Sequence, residues 1–540
     1  MFSLLPAAAF AVEAPSRSHE EIESLEQQYL ATTNPEQRRQ CVDNLKSLGK
    51  NVSGEESVAL NAAVSAMLPV ADSAWEAEEL LAIAAAAPEG EQAAAAIPAT
   101  DSEFLVEARR AAQQATSPSG DVETLADIRI DHLRNDGAKG DALASSYVQQ
   151  LWRINTERGA KRFSPRSVMY SGMSETLTMV RARVIESNGH ELAAKVSPDQ
   201  PVVRRGSAMY FDARSRTLSF SQLRPGDLVE IEYRLLPAQA DTAWSGYYAR
   251  IDRLHDGFAA RLWRRVLIAP SSMKLYAVEH GLSPAVVSTQ GEQTTRVWEQ
   301  HGNGAAIAKA TSPEASASGQ PYLHVSTIGS MEEFGRWYNS LLEPGLQLDE
   351  TLRAVADQIM ERNLTTEEKV QAVYENVQRR TRYMAFEFGV HSYQPYAVST
   401  VERRGFGDCK DKAALLVALL RAVGVQADFA MVRTRPAGAF ADDAYSVEQF
   451  DHAMAYVPEL NLYLDGTAPG VTPGDLPSND QGAMAMTVDE QGNATRRTVP
   501  FSPMENTRIA RELQPHLDSA GSMGSASQAK LEAYAVRGQR

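Results

Sequence analysis

Cysteine is almost absent from this sequence. Cys41 and Cys409 are the only two among 540 residues, and they lie far apart in the chain. A disulfide framework needs closely spaced cysteines, and a structural zinc site needs four suitably spaced ligands. Neither pattern occurs, so we expect a free thiol at Cys409. Cys41 lies in an alanine-rich segment with helical periodicity, and we expect it to be packed.

Long apolar runs and an excess of positive charge are also missing. No stretch of 18 apolar residues occurs, so the sequence predicts no membrane span. The chain has 53 Lys and Arg against 69 Asp and Glu, with a formal net charge of −16 and no basic stripe. This balance argues against nucleic acid as a main partner. At 43% hydrophobic residues, the composition suits an ordinary folded chain of three or four domains.

Common motifs for cofactors and for other hydrolases do not occur. The sequence has no G-x-x-x-x-G-K-[ST] phosphate loop, no G-x-S-x-G nucleophile elbow and no H-E-x-x-H zinc motif. The Gly405-Phe406-Gly407 segment is not a dinucleotide fingerprint. We therefore expect the protein to use no cofactor and no metal.

A helix is predicted directly after this glycine-containing loop. Residues 413–423 carry apolar side chains at helical spacing. Asp408 suits the N-cap, with Asp411 three residues later, and Gly424 suits the end of the helix. The pattern indicates a helix that buries one face in a core.

Cys409 falls in the first turn of this helix. Unpaired backbone N–H groups and the positive end of the helix dipole favour a thiolate there. Lys410 and Lys412 add positive charge. The position therefore suits a nucleophile, although a lone cysteine is most often a small buried hydrophobe.

A β-hairpin is predicted between residues 450 and 467. Two alternating segments flank a turn that begins with proline. If the four-residue loop is unbulged, Val457 pairs with Leu462 and Met454 pairs with Asp465.

His452 shares a strand face with Met454. It is thus a diagonal neighbour of Asp465, roughly 7 Å away at the backbone and within side-chain reach. A carboxylate there can hold one imidazole nitrogen while the other faces Cys409. The non-functional alternatives are that His452 is only packed in the core and that Asp465 belongs to an ordinary Asp-Gly-Thr turn.

Three separate segments therefore carry the chemistry: Gly407-Asp408-Cys409-Lys410-Asp411-Lys412-Ala413, Phe450-Asp451-His452-Ala453 and Tyr463-Leu464-Asp465-Gly466-Thr467. They resemble the signature segments of the bacterial transglutaminase-like superfamily, and the order Cys, His, Asp matches its papain-like triad. The resemblance covers about residues 331–501 and implies a papain-like core. It implies Cys409 as nucleophile, His452 as general base and acid, and Asp465 as the residue that orients the imidazole.

Further roles at this site remain open in the sequence. The backbone N–H of Cys409 is the first candidate donor to an oxyanion, and Gln394 and Tyr383 are candidates for a second. His391 is a rival base, but it has no carboxylate at a fixed offset. Animal transglutaminases require calcium, and because no calcium loop is recognisable here we expect independence from it.

The resemblance and the residues together predict cysteine-dependent acyl transfer or amide hydrolysis through a thioester, on peptide, protein or peptidoglycan-like substrates. Transglutaminase-like and peptidase-like outcomes differ only in whether an amine or water takes the acyl group. The alternative is an envelope assembly or binding module whose papain-like core has little turnover.

The whole chain is predicted to be a multidomain α+β protein. Residues 18–116 suit short antiparallel helices, TPR-like in length, that either bind a protein partner or cap the next domain. Residues 121–328 change to short alternating strands separated by turn signals, which predicts a central antiparallel β-sandwich. The transglutaminase-like core at 331–501 follows, and residues 502–540 are predicted to start a further, truncated β region.

Part of the predicted β-sandwich carries a second resemblance. Residues 151–154, 175–184 and 223–230 resemble a β domain of unknown function, DUF3857-like, that often precedes bacterial transglutaminase-like cores. No catalytic constellation occurs in it.

Residues 1–17 resemble part of a signal peptide. The apolar stretch ends in Ala9-Phe10-Ala11, an A-x-A pattern, but no basic residue precedes it. We expect a periplasmic or cell-envelope location, with a cytoplasmic location as the alternative.

Overall fold

The computed structural model describes residues 17–50, scattered positions from 52 to 83, and residues 120–532 with internal gaps. The predicted signal segment, apart from its last residue, and the predicted helical region from 84 onwards lie outside the described residues. The internal gaps are residues 135–143, 173–174, 203–208, 238–245, 254–258, 302–320, 439, 441–444, 468–471, 503–507 and 518–522.

The described N-terminal region begins with two short helices, and helical positions recur among the scattered described residues from 56 to 83. Asn34 caps the second, because its side chain accepts hydrogen bonds from the N–H groups of Glu36 and Gln37 at 2.9 and 3.2 Å. Their buried side chains belong to one continuous apolar cluster with the C-terminal half of the chain. No repeated helix pair is described there, so the described residues do not support the TPR-like prediction. The helices are α1 (Arg17–Ala31) and α2 (Pro35–Leu48).

Between residues 120 and 326, the described residues lie almost entirely in strands, with one short helix, α3 (Glu157–Phe163), after the second strand. The strands are β1 (Val122–Leu133), β2 (Ala144–Ile154), β3 (Arg166–Ser171), β4 (Glu175–Ile185), β5 (Glu191–Ala193), β6 (Lys195–Val196), β7 (Gln200–Pro201), β8 (Met209–Phe211), β9 (Ala213–Ser219), β10 (Leu228–Pro237), β11 (Ala249–Arg253), β12 (Ala259–Pro270), β13 (Tyr276–His280), β14 (Val286–Gln290), β15 (Gln293–His301) and β16 (Tyr322–Ser326).

Eight of these strands form one large sheet with the order β14-β15-β12-β1-β2-β10-β4-β5. Smaller sheets join β11-β16-β13 and β3-β9-β6, with β7 also paired to β9. The prediction of a multidomain α+β protein is confirmed, while the β-sandwich packing of these sheets stays a prediction. The prediction that they are purely antiparallel is wrong at one place, because β1 and β12 run parallel, with Ile128 opposite Arg264. That pairing joins strands far apart in sequence, which local alternation does not reveal.

The C-terminal half combines helices with a second sheet. The third of its helices is capped by a Thr365–Glu368 capping box. The elements are α4 (Met331–Leu342), α5 (Glu350–Met360), α6 (Thr366–Arg380), β17 (Arg382–Tyr383), β18 (Ala385–Glu387), α7 (Val398–Arg404), β19 (Phe406–Gly407), α8 (Cys409–Ala422), β20 (Asp428–Arg433), β21 (His452–Val457), β22 (Leu462–Leu464), β23 (Met484–Val488) and β24 (Ala494–Thr498).

Helix α8 packs against a five-stranded sheet with the order β22-β21-β20-β23-β24. Residues 410–420 of this helix are all buried, so it is the central element of the core. The predicted hairpin register is confirmed where Val457 pairs with Leu462. The paired residues end at Leu464, which leaves Asp465 as the next residue on the strand.

The β region contacts the C-terminal half directly. Strand β8 pairs in parallel with β18, and Phe211 lies opposite Glu387. Tyr247 stacks on the ring of Trp337 with centroids 4.3 Å apart, and its hydroxyl donates to the Glu448 carboxylate at 2.8 Å. These contacts bring the β region close to the residues around α8.

Near the end of the chain, β25 (Arg508–Leu517) and β26 (Met523–Glu532) form an antiparallel pair.

No helix in the described part of the chain is both long and apolar enough to cross a membrane.

Candidate active site

Asp408 starts α8 with a capping box. Its side chain accepts from the N–H of Asp411 at 3.2 Å, and the Asp411 carboxylate accepts from the N–H of Asp408 at 3.2 Å. Cys409 is therefore the first helical residue, where backbone N–H groups have no intrahelical acceptor. Its side chain remains partly exposed, whereas Asp408 is fully buried.

Gly407 lies against this cap. A Cβ atom at Gly407 would lie 2.6 Å from Cβ of Asp411 and 3.1 Å from Cγ1 of Val401. Any side chain would therefore push the first turn of α8 away from the preceding strand. The glycine before the cap is needed because of this close approach of two segments.

Lys410 is buried beside the cap, with its ammonium paired to the Asp408 carboxylate. Burial alone would lower the pKa of Lys410, but Asp408, Asp411 and Glu387 outweigh that effect and raise the pKa. Cys409 is a further group that raises it. The Lys410 charge therefore acts on the Cys409 thiol.

Lys412 is held at a helix end. Its Nζ donates to the carbonyl of Thr381 at 2.8 Å and lies 3.4 Å from Oε1 of Gln378, at the end of α6. Burial lowers the pKa of Lys412 to about 8, against the opposing effect of Asp465. The ammonium therefore satisfies the end of α6, and its effect on the thiol stays a prediction.

Removing the Asp408 cap should lower the free energy of unfolding by more than removing an ordinary N-cap does. We expect Asp408→Ala to lower the free energy of unfolding by about 3 kcal/mol, because it removes the cap and also leaves Lys410 buried without its closest partner. Asp349→Ala is the matched control: Asp349 caps α5 through the N–H of Leu352 at 2.9 Å but is exposed, so its loss should cost about 1 kcal/mol. Urea unfolding measures both. Equal losses would show that Lys410 does not depend on Asp408.

His452 and Asp465 meet across the hairpin. His452 begins β21, Asp465 follows β22, and Nε2 of the imidazole lies 3.4 Å from Oδ1 of the carboxylate. The same Oδ1 accepts from the N–H and the hydroxyl of Thr467 at 2.8 and 2.7 Å. The Asp465 carbonyl accepts from the Tyr374 hydroxyl at 2.8 Å. Asp465 is thus fixed at both its side chain and its backbone.

Cys409 completes the group, because its thiol is one of the groups close enough to His452 to raise the pKa of the imidazole. Burial alone would lower the pKa of His452, but Asp465 and Cys409 outweigh it and raise this pKa well above its usual value. Burial alone would raise the pKa of Asp465, but His452 and Thr467 outweigh it and lower the pKa. Because Nε2 of His452 faces the Asp465 carboxylate, Nδ1 is the ring nitrogen that is available to the Cys409 thiol. This arrangement suits a thiolate paired with an imidazolium.

A third carboxylate, Asp480, lies at the same imidazole. Its Oδ2 is 3.9 Å from Nε2 of His452, and its side chain is buried. Ligand atoms of His452, Asp465 and Asp480 lie within 4.8 Å of one another, a spacing that could also hold a metal ion. The sequence analysis missed Asp480, because a Ser-Asn-Asp turn between loop segments carries no local signal of chemistry.

Two known families match parts of the chain. Residues 353–458 match the transglutaminase-like superfamily, and residues 140–303 match DUF3857, a domain of unknown function with a solved structure. The C-terminal segment is a transglutaminase-like domain. A DUF3857 domain precedes it.

Solved structures add a relative with the same fold. The chain is similar to a candidate protease from Parabacteroides distasonis, with 15% identity, a TM-score of 0.56, and coverage of 74% of this chain and 79% of that one. A second similarity is to a candidate cysteine protease from Cytophaga hutchinsonii, with 9% identity, a TM-score of 0.18, and coverage of 71% and 88%. No curated protein matches the sequence.

The two candidate oxyanion donors of the transglutaminase-like domain differ in position. Tyr383 lies in β17 beside β19, and Cys409 is, after burial, the largest of the groups that raise the pKa of its phenol. Gln394 instead uses an amide N–H to donate to the Leu341 carbonyl at 2.8 Å. Tyr383 is therefore the candidate that the structure places near the thiol.

The rival base, His391, is held by a backbone carbonyl and an aromatic ring. Its Nδ1 lies 3.0 Å from the carbonyl oxygen of Gln394, and its ring stacks on Tyr396 with centroids 3.5 Å apart. Burial, together with Lys410 and Arg404, lowers the pKa of His391 to about 4, against the opposing effect of the Gln394 carbonyl. The imidazole is therefore neutral near pH 7 and is packed as a structural group.

The two thiols should differ in reactivity. Cys409 is partly exposed at a helix N-terminus, whereas Cys41 is 6% exposed and burial raises the pKa of its thiol. We expect iodoacetamide to alkylate Cys409 at least about tenfold faster than Cys41 at pH 7. Peptide mass spectrometry gives both rates, and they should converge in urea. Equal rates in the folded chain would defeat the claim that Cys409 is activated.

Proposed function

We propose that the transglutaminase-like domain catalyses acyl transfer or hydrolysis at amide bonds, through a thioester on Cys409. The observation that carries this proposal is that Nε2 of His452 lies 3.4 Å from Oδ1 of Asp465, while Cys409, the first residue of a buried helix, acts on the same imidazole. A thiol, an imidazole and a carboxylate in this order form the nucleophile, the base and the residue that orients the base.

The chemical steps follow from the positions of these groups. The Cys409 sulfur, whose proton is on His452, attacks the amide carbonyl carbon. The C–N bond then breaks, and the imidazolium gives its proton to the leaving amine. A water or a second amine attacks the thioester, its proton passes to His452, and the thiolate leaves. Asp465 stays ionised and stabilises the imidazolium between these transfers.

The carbonyl oxygen gains negative charge during both attacks. The N–H of Cys409 is at the start of α8, where it has no intrahelical acceptor and lies at the positive end of the helix dipole. The Tyr383 hydroxyl is the candidate for a second donor, because Cys409 is among the groups that act on the Tyr383 phenol. Both groups are proposed to donate to this oxygen.

The proposed substrates are peptides, proteins or peptidoglycan-like amides. The resemblance in fold to a candidate protease from Parabacteroides distasonis is in keeping with this class. The A-x-A pattern near the N-terminus is in keeping with a periplasmic or envelope location, where such substrates occur. A protein partner for the N-terminal helices is part of the same proposal.

Trapping the thioester tests the proposed function. The full chain is incubated with peptide amides and peptidoglycan fragments, quenched in acid and measured by intact-protein mass spectrometry. We expect an acyl adduct that hydroxylamine removes and that is absent from Cys409→Ala. Product formation by Cys409→Ala at the wild-type rate would refute the proposal. A reactive thiol that never forms an adduct would favour the binding-module alternative.

A further inference from the structure

Asp480 is held in place by its own turn. Its backbone N–H donates to the Pro477 carbonyl at 3.0 Å, and its carbonyl accepts from the N–H of Ala483 at 3.0 Å. The side-chain amide of Gln481 donates to the Leu476 carbonyl at 2.8 Å, which closes the same turn. This hydrogen-bonded segment, which lies just before β23, therefore places the Asp480 carboxylate beside His452.

Burial of the Asp480 carboxylate costs free energy unless a positive group stabilises its charge, and the imidazole of His452 lies beside it. Its side chain is 5% exposed and lies 3.9 Å from Nε2, while Oδ1 of Asp465 lies 3.4 Å from the same nitrogen. Two carboxylates buried this close together repel each other, and a cation between them offsets that cost. In the described residues, the imidazole of His452 is the group that both of them face.

We propose that Asp480 is a second positioning carboxylate for His452, which holds the imidazole together with Asp465 and stabilises its protonated form. This inference rests on the proposed function, because it assigns the residue to the base of that reaction. It goes beyond the three-residue triad, since the imidazolium then has two anions on the side away from the thiol.

The charged groups around this cluster are few. His452 is faced by Cys409 from α8, by Asp465 from the end of β22 and by Asp480 from its turn. Lys412 also acts on Asp465.

Asp480 itself should titrate in mildly acidic solution. Burial raises the pKa of Asp480 to about 6, with Asp465 and Asp451 adding to the effect and His452 opposing it. The second anion is therefore present at neutral pH and is lost as the pH falls through about 6.

The proton affinity of His452 provides a test that needs no substrate. The full chain carrying Cys409→Ala is labelled at histidine Cε1 with ¹³C, and the His452 signal is assigned by its loss in His452→Gln. We expect Asp480→Asn in this background to lower the proton affinity of His452 about tenfold, because one of two anions is removed.

Asp475→Asn is the matched control on the same loop. The Asp475 carboxylate accepts from the hydroxyl of Thr472 at 2.6 Å in an exposed turn, so its loss should leave the His452 titration unchanged. Asp480→Glu keeps the charge and should restore most of the affinity. If Asp480→Asn does not fold, Asp480→Ser replaces it in the same titration.

An unchanged His452 titration in folded Asp480→Asn overturns the inference, as does an equal effect of Asp475→Asn. These outcomes leave the thioester experiment untouched, because that experiment depends on Cys409. Conversely, absence of an acyl adduct would remove the reaction while the effect of Asp480 on the imidazole could still be measured.

Discussion

His452→Ala is expected to lower kcat/KM by about 10³-fold or more on a peptide amide found by the trapping experiment. The alanine removes both the group that takes the thiol proton and the group that returns a proton to the leaving amine. Because nucleophile and base act as a unit, adding Cys409→Ala to this variant should cause little further loss.

His391→Ala is the matched control for this variant. His391 is the rival histidine nearest in sequence to the nucleophile, and it stacks on Tyr396 with no carboxylate partner. Its replacement should leave kcat/KM within about threefold of the wild-type value, since it removes packing and not a proton carrier. The opposite pattern, with His391→Ala inactive and His452→Ala active, would place the base in the loop before α8.

Asp465→Asn should cause the second-largest loss, on the order of 10²-fold in kcat/KM. The amide keeps the size of the side chain and can still accept from Thr467 through its oxygen, so the fold should persist by circular dichroism. It loses the negative charge that stabilises the imidazolium and fixes its tautomer. The loss is expected to be smaller than for His452→Ala because the base remains, and because the proposed role of Asp480 keeps one anion beside it.

Tyr463→Phe provides the control for Asp465→Asn. Tyr463 lies two residues earlier in the same hairpin, where it is buried against Tyr456 with ring centroids 4.6 Å apart. Removing its hydroxyl leaves the carboxylate in place and should change kcat/KM by less than about threefold. Wild-type activity in Asp465→Asn would mean that the hairpin does not supply the orienting group.

Local sequence patterns were sufficient for the elements that carry the proposed triad. The capping box at Asp408 and the apolar repeat of α8 are read from consecutive residues, and both occur in the structure. The hairpin register follows from a short loop, which restricts the pairing of its two strands. These features are predictable because sequence neighbours determine them.

Features that depend on distant segments were not predictable in this way. Asp480 reaches His452 across an intervening loop, and Lys412 turns to a helix end that belongs to α6. The parallel pairing of β1 with β12 likewise joins segments with no shared local pattern. A single sequence shows which residues are apolar or charged, but the partner of a buried charge depends on tertiary packing.

The pairing of β8 with β18 bears on how far the C-terminal half can be treated as a separable module. The DUF3857 domain supplies a strand to Ala385–Glu387, and Glu387 is one of the carboxylates that act on Lys410 beside the nucleophile. A fragment that begins at Met331 would leave this strand with an open edge. The two domains therefore contact each other beside the nucleophile. Replacing the DUF3857 domain with an unrelated domain would remove the strand that pairs with β18, and this would change the structure next to Lys410 and Cys409.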